Sequence, residues 1–177
     1  MRVNSLLIAA SFVCLLVSFW NRNDLPGKID YVPALDTEPR QTPTRERPFN
    51  VLFKDVEYKV EPEYAYDITG MVVSFRHHKH ESSRMHRLSN DHLNMLDVCV
   101  IWGDNPGNER LDKISFWNGI FTCNFKTGDQ QAWDSFDVTQ IANNLLLSDD
   151  EVVRRQVKNI RIGDQILESV FLAGYTS

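Results

Sequence analysis

A period-two alternation of apolar and polar residues in the middle of the chain limits it to a fold built on strands. Val56, Tyr58 and Val60 alternate with Glu57 and Lys59, so one side of an extended segment is apolar and the other wet. The string EPEY predicts a turn, after which Tyr64, Tyr66 and Ile68 share one parity and Met71, Val73 and Phe75 the other. The phase changes at Gly70, the pattern left by a bulge or sharp bend in a curved sheet. Further strands are predicted at LDVCVIWG (96–103) and ISFWNGIFTCNF (114–125), the latter with a turn signal at Asn118-Gly119. The closing IRIGDQILESVFLAGYTS reads as strand, tight turn at Gly163-Asp164 and strand.

Two helices carry capping signals. Asp137-x-x-Gln140 opens a run with Val138, Ile141, Ala142, Leu145 and Leu146 on one face. Ser148-x-x-Glu151 is a capping box, with Val152, Val153, Gln156, Val157 and Ile160 expected to face inward. Asn143-Asn144 suits a helix interior poorly and marks either its end or a hydrogen-bonding site. The expected fold is therefore α+β, mainly β: a small curved barrel of the OB type, or a sandwich, with a short two-helix insertion.

The ends of the pattern set the location. Ser5 to Trp20 is an apolar run of sixteen residues without a charge, predicting an N-terminal transmembrane helix over 1–20 that acts as a signal anchor. Cleavage would need small residues at −3 and −1, and Val17-Ser18-Phe19-Trp20 does not supply them. The residues before Cys14 are too bulky for a lipoprotein signal. Residues 21–48 hold five prolines and read as a tether, although Tyr31, Val32, Ala34 and Leu35 have the character of a docking strand. A short N-terminal tail stays inside, which places the domain, 49–177, in the periplasm of a single-pass protein of the bacterial inner membrane. The net charge of −5 argues against nucleic acid as a partner, despite the local cluster of Arg76, His77, His78, Lys79, Arg84 and Arg87.

All five histidines lie between Arg76 and His92. His77, His78 and His80 belong to a charged run, whereas His86 and His92 flank Asn90-Asp91 just before a strand that begins near Asp97. His86, Asp91, His92 and Asp97 are the candidate ligands for zinc or another transition metal. Neither HExxH nor CxxC spacing supports them, and a solvated polar loop is the simpler account. Cys99 and Cys123 stand on two expected strands; they form a disulfide if those strands are neighbours, and are buried thiols otherwise. Asp104-Asn105-Pro106-Gly107-Asn108 reads as a β-turn rather than a cation loop. No nucleophile elbow, phosphate loop or dinucleotide fingerprint is present.

Taken together, VVSFRHH, His86 with NDHLN, DVCVIWGDN, FTCNF and the final IGDQI leading to AGY resemble a family of bacterial single-pass, membrane-anchored envelope proteins. The resemblance implies an envelope-associated domain that includes the histidine region, and brings no known activity or ligand. It also implies a chain running on past AGY, where this one reaches Thr176-Ser177. The function expected is a non-catalytic binding or assembly module of the envelope, partnered by the membrane and other envelope proteins. The alternative is a metal-binding protein or metal-dependent hydrolase using the region of His86 and His92.

Overall fold

The computed structural model describes residues 24–27, 29–78 and 92–176, together with Ser11. The expected membrane helix at 1–20, and His86 and Asp91, lie outside the described residues. Among the described residues no helix is long and apolar enough to cross a membrane.

The fold is α+β and mainly β, with two short α-helices among the described residues. Its organiser is β3 (Val56–His77), a strand of 22 residues. One edge of β3 pairs antiparallel with β8 (Gln165–Thr176), from Lys59 opposite Thr176 to Met71 opposite Gln165. The other edge takes β2 (Phe49–Phe53), then β1 (Arg40–Pro43), then β4 (Asn94–Ile101). On the far side of β4 lies β7 (Ile141–Leu147). These six strands make one sheet, and a separate hairpin is formed by β5 (Ser115–Asn118) and β6 (Cys123–Lys126).

The sheet does not close into the expected barrel. No ladder joins β7 to β8 among the described residues; side chains span that gap instead, Asn144 of β7 donating to Glu168 of β8 at 2.7 Å. The turn expected at EPEY is absent too, because β3 runs straight through it with a register shift between Pro62 and Tyr64. A second bulge falls between Val72 and Ser74, not at Gly70. Gly70 is needed for space: a Cβ there would lie 2.8 Å from Cβ of Val100.

Both faces of the β3–β4 pair are buried, which is why β4 reads as a continuous apolar run. One face carries Met71, Val73, Cys99 and Ile101 under Leu35, Ile114, Phe136 and the β5–β6 hairpin. The other carries Ile68, Val72, Leu96, Val98 and Val100 against Trp102 and Val157.

The helices depart from expectation. Residues 141–147 pair with β4 as β7, so ladder hydrogen bonds and two-sided packing override the helical pattern after Asp137. Asp137 instead accepts from the Thr139 amide at 2.8 Å. A helix missed from sequence, α1 (Gln130–Ser135), is capped by Asp129 on the Ala132 amide at 2.9 Å. The second expected helix forms as α2 (Glu151–Val157), but its cap is Asp150 rather than Ser148. Val157 is buried while Val152 and Val153 are exposed. The turn at Gly163 is present without a strand before it.

Part of the 21–48 segment lies on the sheet. Leu35, in the 3-10 turn Pro33–Asp36, is 1% exposed, and its carbonyl accepts from the Gly103 amide at 2.8 Å. Gln165 clips the same segment, accepting from Val32 N at 2.7 Å and donating to Asp30 O at 2.8 Å.

Candidate functional site

Cys99 of β4 and Cys123 of β6 form a disulfide, with Cα atoms 5.5 Å apart, that fastens the hairpin to the sheet. Beside it the Asn118 side chain accepts from Ser74 Oγ at 2.6 Å, and donates to Asn143 Oδ1 at 3.0 Å and Asp97 O at 3.3 Å. Asn143 therefore belongs to a hydrogen-bonding site on a strand.

Asp97 is fully buried and faces Arg76, its direct cross-strand partner. Arg76 Nη2 lies 2.6 Å from Oδ2, and His78 Nε2 lies 2.9 Å from Oδ1. Burial alone would raise this carboxyl; hydrogen bonds and positive charge from His78 and Arg76 outweigh it and hold it below the ordinary range. Both oxygens of this candidate ligand are thus engaged. His92 enters through its backbone, the amide donating to Tyr58 Oη at 2.9 Å. Among the described residues no group of three or more His, Cys, Asp or Glu side chains converges as metal ligands. Arg76 near the end of β3 and His78 just beyond it are two residues apart and so share a parity, which was the sequence signal for their common partner.

Glu168 was missed because it sits in an apolar strand, where its inward parity with Ile166 was the only cue. Burial pushes its carboxyl up to about 7, offset in part by the hydrogen bond from Asn144. Its Oε1 has no hydrogen-bond partner among the described residues. The Tyr66 hydroxyl is raised as well, first by burial and then by the charge of Glu168.

A cleft of about 460 Å³ opens between the β2–β3 hairpin, the end of β3 and α2. Phe53, Met95 and Val157 give it apolar walls, and Lys54, Arg154 and Lys158 bring cations to it. The Arg154 guanidinium stands 4.5 Å from the centre of the Phe53 ring and donates to the carbonyls of Ser148 and Leu93. Burial lowers its pKa, opposed by the charge of Asp149. None of the three cations forms an ion pair among the described residues. Lys54 and Asp55 make the two-residue hairpin turn with φ of 49° and 63°, where glycine or asparagine would sit unstrained. His77 and His78 also line this cleft, so the charged run beside β3 supplies its wall.

No protein-family model, curated protein or solved structure matches the chain.

Proposed function

We propose that this chain is a membrane-anchored, extracytoplasmic binding module of the bacterial envelope that works without catalysis and holds its ligand in the cleft beside α2. The observation that carries this reading is the meeting, in one cleft, of an apolar wall and three cations that form no ion pair among the described residues. Such a combination of apolar lining with a few convergent polar groups is what small-molecule and peptide sites require. The Cys99–Cys123 disulfide supports an oxidising compartment. The charge-free run from Ser5 to Trp20 supports the membrane attachment.

A photo-crosslinking amino acid at position 158 in living cells tests this, with the exposed position 126 at the end of β6 as the control. The reading expects an adduct at 158 and none at 126. Equal yields at the two positions, or none at 158, contradict it.

A further inference from the structure

Three properties of the cleft narrow its ligand, on the reading that this cleft is the binding site. First, its cations are placed at a boundary. Arg154 stacks on Phe53 at 4.5 Å, and Lys54 Nζ is 5.9 Å from the same ring. Phe53 thus carries charge on its face while contributing apolar surface to the cleft. Second, Arg154 is held in position by the carbonyls of Leu93 and Ser148, neither of which neutralises it. Asp149 acts on it electrostatically without forming an ion pair. Third, the turn carries a lysine in the left-handed region, φ 49°, which a non-glycine residue adopts only with strain. What that residue supplies, and glycine would not, is an ammonium group at the cleft.

An inorganic anion would leave Phe53, Met95 and Val157 uncovered, and a neutral hydrocarbon would make no use of three cations that have no ion-pair partner among the described residues. We infer that the cleft binds a single-chain anionic amphiphile: a carboxylate or phosphate headgroup at Lys54, Arg154 and Lys158, with its hydrocarbon against Phe53, Met95 and Val157. The volume, about 460 Å³, falls within the range of small-molecule sites and suits one chain.

Native mass spectrometry of the full-length chain, released from neutral detergent micelles, reads adducts of defined probes. Dodecanoate and dodecyl phosphate are expected to give single adducts, with an apparent Kd about tenfold or more below that of dodecanol. Inorganic phosphate is expected to give none at the same concentrations. Replacing both exposed lysines, Lys54→Gln with Lys158→Gln, is expected to weaken dodecyl phosphate by about tenfold and leave dodecanol unchanged. That double variant decides the matter, because Arg154→Gln also removes the bonds to Leu93 and Ser148. Lysophosphatidate separates the sources: tighter binding than dodecanoate assigns the headgroup to a phospholipid, the reverse to a free fatty acid, and either order supports the inference. Dodecanol or inorganic phosphate binding as tightly as dodecyl phosphate overturns it, as does an unaffected double variant. Absence of adducts with every anionic amphiphile also overturns it, while crosslinks at position 158 would leave the binding reading standing.

Discussion

The Arg76 guanidinium lies 2.6 Å from the carboxylate of Asp97, its direct partner across β3 and β4. Asp97 is buried and Arg76 is partly exposed, so solvent softens the charge of only one partner. Asp97→Ala is expected to lower stability by about 3 kcal/mol, the low end for breaking a buried pair. Because the folded carboxyl is held low, this contribution is present above the ordinary carboxylate range and fades as pH falls through the lowered value. Denaturation midpoints of the full chain should differ between Asp97→Asn and wild type at pH 7 and converge in acid. A constant difference would show that the carboxylate charge is not what stabilises.

Glu168 has the opposite sign. Its folded value, about 7, lies above the ordinary 4.5, so the folded chain holds a proton that the unfolded chain loses. Stability from this group is full below 4.5 and is lost as pH rises through about 7. The total is at most about 3 kcal/mol. Glu168→Gln keeps an acceptor for Asn144 and should flatten that slope, leaving the variant more stable than wild type at pH 8. Parallel profiles for the two proteins would refute the assignment.

The disulfide closes a loop of sequence separation 24. Its loss in Cys123→Ala is expected to destabilise by about 3 kcal/mol in the chain-entropy account. The effect should be local as well: amides of β5 and β6 should exchange faster with solvent than in wild type, while those of β3 paired with β8 keep their relative protection. Unchanged exchange in the hairpin would mean that its packing, not the bond, holds it.

Gly70→Ala places a methyl group against Val100, which is itself fully buried and cannot withdraw. Overpacking of this kind costs about 1–3 kcal/mol. Gly174→Ala is the control, since nothing lies within 4 Å of its added Cβ, and should change stability by no more than about 0.5 kcal/mol. Equal effects at the two sites would remove the close-approach argument.

What the sequence disclosed was mostly local. Alternation placed β3 and the apolar run placed β4, because side-chain parity and burial write themselves directly into residue order. The cysteines could be paired only on the condition of neighbouring strands, whereas the bond joins β4 of the sheet to the separate β5–β6 hairpin, a contact between layers that residue order does not record. The segment after Asp137 misled because Ile141, Ala142, Leu145 and Leu146 satisfy a helical period, while a long-range ladder with β4 decides the outcome. The cleft was illegible for the same reason. Lys54, Met95 and Arg154 are far apart in sequence, and the β2–β3 turn, the end of β3, the start of β4 and α2 meet only in the fold. Glu168 was hidden by its neighbours, since one carboxylate in an apolar strand reads as an exposed position until the sheet turns it inward.

The central claim is that the cleft holds a ligand where the protein works. The most direct measurement compares amine-acylation rates at Lys54, Lys158 and Lys126 in living cells and in the purified, ligand-stripped full-length chain. Lys126 lies exposed on β6, away from the cleft, and reports reagent access. Occupancy predicts that Lys54 and Lys158 react several-fold more slowly in cells, relative to Lys126, and recover on stripping. Rates at Lys54 and Lys158 that keep the same ratio to Lys126 in both preparations would contradict the account.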